Sequence, residues 1–277
     1  MKSSFSFLTA SLLLALAPVC AAQGTPLPQT DSGTVIMDTW EIRAARAAGF
    51  RNQRTAFALQ RSAAWSKWQL SRRKLTDRLD RCHTEIRASN RDTLLPVTQQ
   101  CLKGQLIIER DALKRDRTVY EKLPGLSDAV RATLLVQTDA LTGALQTIID
   151  GMDAHVFSTM AQLKDVRANL LKEYRQPYWF ALTRSRADEL LTWTAHLLTA
   201  LSYSAADSSI PPAAHAKAAE ASACLEGAET AFATVLTDED AVSARTKLTA
   251  GMITARTCNA LITEAWEVQK MVQETQD

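Results

Sequence analysis

Glycine and proline are scarce in this chain, and their scarcity limits the folds available to it. Nine Gly and eight Pro occur in 277 residues, which is about half of the usual share. A many-stranded sheet needs frequent turn residues, and this chain has too few of them. Long segments instead carry apolar residues at helical spacing, such as Leu134, Leu141 and Leu145. We therefore predict an all-α protein, an elongated bundle of about six helices built from long antiparallel hairpins.

Residues 1–22 have the pattern of a secretory signal peptide. Lys2 precedes an uncharged apolar run at 5–19, and small residues follow at 20–22. A positive start, a short apolar stretch and an Ala-x-Ala-like end are typical of a segment removed on export. Lipid attachment at Cys20 is the alternative, which we disfavour because the residues before it do not fit the usual lipidation pattern. We expect an exported protein and favour a bacterial periplasm.

Export leaves an even number of cysteines in an oxidising compartment: Cys82, Cys101, Cys224 and Cys258. Four cysteines allow three pairings, and hairpin geometry favours one of them. The midpoint of the first two falls in the turn-like stretch 88–93, and the midpoint of the last two falls beside the helix-start cluster 237–240. We therefore predict two hairpins, each closed by its own disulfide, Cys82–Cys101 and Cys224–Cys258. Buried free thiols are the alternative.

Capping residues and prolines predict the helix boundaries after the first hairpin. We expect Ser127 to cap a third helix that reaches Arg175, and Pro177 to end it. A fourth helix then begins at a capping box of Ser185 and Asp188. The uncharged stretch 190–206 is short for a membrane span and contains several Thr and Ser. We interpret it as a central bundle helix and expect no transmembrane span after signal removal.

Charge divides the chain into two regions. Residues 40–124 carry 19 Lys/Arg and 9 Asp/Glu, whereas residues 125–277 carry 12 Lys/Arg and 19 Asp/Glu. After the signal peptide we predict a mobile leader at 23–33, a basic helical hairpin at 34–124 and an acidic, Ala-rich helical bundle at 125–277. The basic excess, which includes Arg72, Arg73 and Lys74, either pairs with the acidic region or binds an anionic envelope component. Internal pairing is slightly favoured, and nucleic acid does not suit the compartment.

Tryptophans are the other candidate interaction residues. Trp65 and Trp68 lie one helical turn apart in the basic region, where a core position is the favoured interpretation. Trp179 follows Pro177 in a run of three aromatic residues. Three consecutive aromatic side chains cannot all share one helix face. We therefore expect one or two of them to be exposed.

Motifs for catalysis or metal binding are missing from the sequence. It contains no Cys-x-x-Cys, no Glu-x-x-His, no Gly-x-Ser-x-Gly and no phosphate-binding glycine loop. Its four histidines have no cysteine at ligand spacing that completes a site. We predict no catalytic residue, no metal ligand and no cofactor.

The second cysteine pair carries a family resemblance. The segments Ala223-Cys224-Leu225-Glu226, Lys247 to Met252 and Thr257-Cys258 resemble a hairpin of plant invertase and pectin methylesterase inhibitors. The resemblance covers about 50 residues and implies an exported helical bundle with two disulfides. The first pair departs from the pattern because the N-terminal cysteines of that family lie closer together in sequence. We interpret the similarity as convergence and keep enzyme inhibition as an alternative function.

These patterns lead to one functional expectation. We expect an exported, non-enzymatic binding or assembly component of the cell envelope that acts through helical surfaces. Its heptad-like helices suit a protein partner or self-association, including coiled-coil contacts. The alternatives are an inhibitor of an extracellular enzyme and an enzyme whose site is unrecognised.

Overall fold

The computed structural model describes residues 76–123, 125–206 and 211–274, and the regular structure in these ranges is entirely helical. The helices are α1 (76–88), α2 (Leu94–Tyr120), α3 (Asp128–Asp153), α4 (Met160–Asn169), α5 (Gln176–Ala206), α6 (Pro212–Thr237) and α7 (Ala241–Glu274). A π-helical turn at Leu170–Arg175, here called the π-turn, joins α4 to α5. The predicted all-α class is confirmed. No helix in these ranges is apolar over a length that crosses a membrane.

The described residues form two compact units. The Leu-rich unit contains residues 76–192, without 124, and 230–249. The Ala-rich unit contains residues 193–206, 211–229 and 250–274. Each unit holds one of the two disulfides.

The Leu-rich unit is built around one core shared by α2, α3 and the chain from α4 into α5. Leucines dominate it, because each helix presents an apolar stripe at spacings of three and four residues. The largest fully buried side chains of this cluster are Leu106, Leu134, Leu141, Leu145 and Leu163.

A tight turn at 89–93 reverses the chain between α1 and α2, as predicted. The Asn90 side chain accepts hydrogen bonds from the backbone N–H groups of Asp92 and Thr93, at 3.1 and 2.9 Å. Cys82 and Cys101 then lie opposite each other, with their Cα atoms 5.4 Å apart. The first predicted disulfide is therefore confirmed by the pairing of these two cysteines.

The loop between α2 and α3 is held by hydrogen bonds from both sides. Arg131 donates to the carbonyls of Tyr120, Glu121, Leu123 and Leu126, which cluster at the end of α2 and in the loop. Gly125 adopts a left-handed backbone conformation with φ +82°. These hydrogen bonds hold the described residues of the loop against the first turn of α3.

Two side chains of α5 also anchor this loop. The Asp188 carboxylate accepts the backbone N–H of Ser127 at 2.6 Å, and Thr192 donates to the Gly125 carbonyl at 2.8 Å. Ser127 is the N-cap residue of α3, but its side chain makes no capping hydrogen bond. The predicted capping box of Ser185 and Asp188 is wrong. Both residues lie inside α5, where Ser185 donates to the Ala181 carbonyl and Asp188 reaches α3.

The third helix ends at Asp153, and the predicted end at Arg175 is wrong. His155 takes the left-handed conformation with φ 55°, and the N–H of Val156 bonds the Gly151 carbonyl. This hydrogen-bond pattern is a Schellman motif, which terminates a helix. A capping box of Thr159 and Gln162 then starts α4.

Pro177 does not end a helix, because the π-turn precedes it. The N–H of Gln176 bonds the carbonyl of Leu171, five residues back. The next hydrogen bond of this pattern would need a backbone N–H at residue 177. Proline has no backbone N–H, so no hydrogen bond is lost there. The wider turn therefore lets the helix continue through Pro177 into α5.

The Ala-rich unit packs small side chains of α6 and α7 against α5. Its core contains Leu201, Ala221, Leu225, Cys258 and Ile262. Small residues let α6 and α7 approach closely, and the Cα atoms of Cys224 and Cys258 lie 5.4 Å apart. This pairing confirms the second predicted disulfide.

Candidate functional site

The predicted interaction residues lie in different parts of the chain. Trp65, Trp68, Arg72, Arg73 and Lys74 fall outside the described residues, as do the signal peptide and leader. Trp179 lies in the first turns of α5 and is 47% exposed.

The first disulfide has a carboxylate beside it. Glu85 Oε2 lies 3.5 Å from Cys101 Sγ, and Cys82, Glu85 and Cys101 have the compactness of a metal-ligand group. The two sulfur atoms are bonded to each other and are therefore not thiolates. Since thiolates are the form in which cysteine binds metals, we assign this cluster a structural role.

The residues on the inward face of α2, here called its inward stripe, change from apolar to partly polar along the helix. It runs through Leu102, Leu106, Glu109, Leu113, Asp116 and Tyr120, at spacings of four and three residues. Its leucines are buried in the core of the Leu-rich unit. The other three positions carry two carboxylates and a phenol on a face that normally packs apolar side chains.

The π-turn and α5 supply polar partners for two members of this stripe. Arg175, at the end of the π-turn, donates from Nε to Glu109 Oε1 at 2.9 Å and makes a second hydrogen bond from Nη2 to Glu109 Oε2. Tyr178 is buried, and its hydroxyl lies 3.0 Å from the hydroxyl of Tyr120. Two polar contacts therefore connect α2 with the π-turn and with the start of α5.

Asp116 belongs to the same inward stripe of α2. In the described part of the chain, its carboxylate makes no ion pair and no hydrogen bond. Burial raises the pKa of Asp116 to about 6, and the charge of the neighbouring Arg115 opposes this effect only partly. This carboxyl group therefore titrates near neutral pH.

The two phenols stay neutral in the same range. Burial raises the pKa of Tyr120 and of Tyr178 well above the ordinary value, and the Asp116 charge raises both further. We name Glu109, Asp116, Tyr120, Arg175 and Tyr178 the α2–α5 polar cluster.

The same segment also exposes apolar side chains. Leu171 and Tyr174 are each 38% exposed and belong to the π-turn, and Trp179 follows in α5. Phe180 differs from Trp179 because it is half-buried with the Arg184 guanidinium 4.5 Å from its ring centre. We name Leu171, Tyr174 and Trp179 the outer apolar surface.

Sequence reasoning identified Trp179 but missed the polar cluster and the π-turn. The stripe of α2 contained a usable signal, because two acidic residues interrupt a series of leucines at helical spacing. Nothing comparable in the sequence marks a π-turn.

Comparisons of this chain with protein-family models, with curated proteins and with solved structures find no match.

Proposed function

We propose that this protein is an exported, non-enzymatic binding or assembly component of the cell envelope that contacts a protein partner through its outer apolar surface. Export is supported by the signal-like residues 1–22 and by the two disulfides, which are compatible with an extracellular or periplasmic location.

One observation carries the binding proposal. Leu171, Tyr174 and Trp179 expose large apolar area within nine residues of chain. Single exposed apolar residues are ordinary on soluble proteins, whereas clustered ones mark interaction sites. Tryptophan and tyrosine are also enriched at interface hot spots.

The anchoring of the surface is the second support. The neighbouring residues Arg175 and Tyr178 point inward and are bonded to α2. A surface held in place in this way loses little conformational entropy when a partner docks. The adjacent ion pair of Lys172 and Glu173 gives the segment mixed charge, which suits a protein partner better than an anionic lipid surface.

Site-specific photocrosslinking tests the proposal in the source organism. The full-length chain receives a photoreactive amino acid in place of Trp179 and, as a matched control, in place of Val136, which is 61% exposed on α3. We expect a defined protein adduct from position 179 and none from position 136. Crosslinking between two copies at position 179 would also support the proposal, as self-assembly.

Other outcomes would contradict the proposed binding surface or the proposed export. Equal adducts at both positions, or none at position 179, would overturn the assignment of this surface. Full-length chain found in the cytoplasm with residues 1–22 still attached would overturn export.

A further inference from the structure

We propose that the first cysteine pair is a zinc site when it is reduced. Cys82, Cys101 and Glu85 bind one Zn²⁺ in the dithiol state and release it when the disulfide forms. The disulfide state is structural. The dithiol state precedes oxidation in every newly made chain, so zinc holds the α1–α2 hairpin before a covalent bond closes it.

The three donor atoms lie close to the spacing that zinc requires. Cys82 Sγ, Cys101 Sγ and a Glu85 carboxylate oxygen lie within 4.8 Å of one another, and Glu85 Oε2 is 3.5 Å from Cys101 Sγ. Tetrahedral zinc binds sulfur at about 2.3 Å and carboxylate oxygen at about 2.0–2.2 Å, which separates a sulfur and an oxygen ligand by about 3.6 Å. The carboxylate is therefore already placed as a ligand. Only the two sulfur atoms have to move apart after reduction, to about 3.8 Å.

The α1–α2 hairpin holds these donors through contacts other than the S–S bond. Cys82 and Glu85 are three residues apart on α1 and therefore share one helix face. The turn at 89–93 brings Cys101 opposite them, and the hydrogen bonds that Asn90 accepts in this turn do not involve sulfur. Reduction therefore leaves in place the contacts that position the three ligands.

Arg78 supplies positive charge next to the cysteine pair. It lies one turn before Cys82 on α1, and its Nη2 donates to the carbonyl of Gln100, the residue before Cys101, at 3.3 Å. Its guanidinium lies against α2 at Gly104, where an added Cβ would be 2.8 Å from Nε. Within the described residues, Arg78 Nε is buried and has no hydrogen-bond partner. A neighbouring guanidinium favours the thiolate form of cysteine, which is the form that binds metals.

Exposure leaves an entry path on the Glu85 side of the site. Cys82 and Cys101 are 1% and 2% exposed, whereas Glu85 is exposed. Zn²⁺ reaches the sulfur atoms past this carboxylate, and water takes the fourth position, because three protein ligands and one water are a regular zinc arrangement. Two thiolates favour zinc over hard cations such as Mg²⁺ and Ca²⁺.

Zinc release is a balanced thiol–disulfide exchange. The two zinc-bound thiolates give up two electrons and form the S–S bond. The oxidant is a second disulfide, which takes up these two electrons and two protons and becomes two thiols. Zn²⁺ leaves because a disulfide sulfur is no longer a thiolate ligand. One Zn²⁺ is therefore released for each disulfide formed.

The second cysteine pair provides a comparison within the same protein. Cys224 and Cys258 have the same Cα separation of 5.4 Å as the first pair. Among the described residues, no carboxylate or histidine completes a metal-ligand group with them. Cys224 Sγ lies 3.9 Å from the backbone carbonyl of Thr254 instead. We therefore expect tight zinc binding at the first pair only.

Zinc titration of the full-length protein tests the site. Cys224→Ser with Cys258→Ser keeps the first pair, Cys82→Ser with Cys101→Ser keeps the second, and both proteins also carry Cys20→Ser. Each is folded in its disulfide form, reduced with a phosphine and freed of reductant without oxygen. We expect the first-pair protein to bind one Zn²⁺ by calorimetry and to show sulfur-to-cobalt charge-transfer absorption with Co²⁺. The second-pair protein should bind Zn²⁺ at least about tenfold more weakly, and neither should bind it while oxidised.

Two substitutions in the first-pair protein assign the carboxylate ligand. Glu85→Gln should weaken Zn²⁺ binding at least about tenfold, since even the loss of an outer-shell partner costs about 10–100-fold. Asp80→Asn removes another exposed carboxylate of α1 and should leave the affinity unchanged. Oxidised glutathione added to the zinc-loaded protein should release one Zn²⁺ per disulfide formed.

Several results would overturn the zinc site. They are no Zn²⁺ binding by the reduced first pair, equal binding by the two pairs, or unchanged affinity in Glu85→Gln. Circular dichroism follows the helix content throughout, and helix lost on reduction that Zn²⁺ does not restore would overturn the proposal as well. None of these readouts involves a partner, so their outcome is independent of the crosslinking at Trp179.

Discussion

Replacing Asp116 with asparagine should stabilise the protein at neutral pH and do so progressively less as pH falls. The substitution keeps the size of the side chain and removes the charge that burial disfavours. The pKa of Asp116 lies at about 6 in the folded protein, against 3.8 ordinarily. Because one pKa unit corresponds to about 1.4 kcal/mol, the ionised side chain costs up to about 3 kcal/mol of folding free energy at pH 7.5.

The sign follows from proton binding. Between pH 3.8 and pH 6 the folded protein binds the Asp116 proton more tightly than the unfolded chain does. The stability contributed by this proton is therefore complete below the unfolded pKa and is lost as pH rises through the folded pKa. Between pH 5.0 and pH 7.5 the loss amounts to about 1.4 kcal/mol.

Urea unfolding of the wild type and of Asp116→Asn at both pH values measures this difference. The stability gained by the variant should be about 1.4 kcal/mol larger at pH 7.5 than at pH 5.0. Any constant difference between asparagine and a neutral carboxyl cancels in this comparison, as do all other titrating groups common to both proteins. Asp165→Asn provides the control and should show no such pH dependence.

A gain that is the same at both pH values would refute the reasoning, since it would mean that the Asp116 charge is not disfavoured by burial. A variant less stable than the wild type at pH 7.5, but not at pH 5.0, would refute it more strongly. It would show that the carboxylate has a stabilising partner.

Four further predictions concern stability and are checked by thermal or urea unfolding. Gly143→Ala should raise the free energy of unfolding by about 0.5–1 kcal/mol, because the new Cβ meets open space inside α3. Gly125→Ala should lower it by about 1–2 kcal/mol, because φ is +82° there. His155→Gly should stabilise by about 1 kcal/mol, since His155 holds a left-handed C′ position. Removing either disulfide, through Cys82→Ala or Cys224→Ala together with its partner, should cost about 3–4 kcal/mol.

The hairpins and the disulfide pairing were predictable because they depend on the spacing of residues along the sequence. Each pair of cysteines lies at equal distances from a turn, and the turns contain polar residues that favour reversal, such as Asn90 and Asp240. In the structure Asp240 accepts the N–H of Ser243 at 2.6 Å and caps α7. Such caps act within three or four residues and can therefore be recognised in the sequence.

The end of α3 was predicted incorrectly because its local determinants are weak. His155 continues the apolar register of the helix, and histidine is not the usual residue for a left-handed position. The capping box of Thr159 and Gln162 was the available signal. It was overlooked because the apolar periodicity suggested an unbroken helix.

The π-turn was unpredictable for another reason. A proline is expected to end a helix because it lacks a donor and its ring meets the preceding turn. The π-turn removes both problems through one additional residue, and tertiary contacts hold it there. Arg175 and Tyr178 make those contacts with residues of α2 that lie 66 and 58 positions away in sequence. Separations of this size are beyond the reach of local pattern analysis.

The inward polar groups of the Leu-rich unit have unequal energetic consequences. Asp188 and Thr192 each complete a backbone hydrogen bond of the loop before α3, and Arg131 satisfies four carbonyls there. Buried polar groups satisfied in this way cost little and fix one arrangement of the loop. In the described chain, the Asp116 carboxyl group completes no hydrogen bond of another group. When ionised, it lowers the stability of the fold. A leucine at this position would continue the stripe and favour the fold at neutral pH. The ionised carboxyl group therefore weakens the Leu-rich unit at neutral pH.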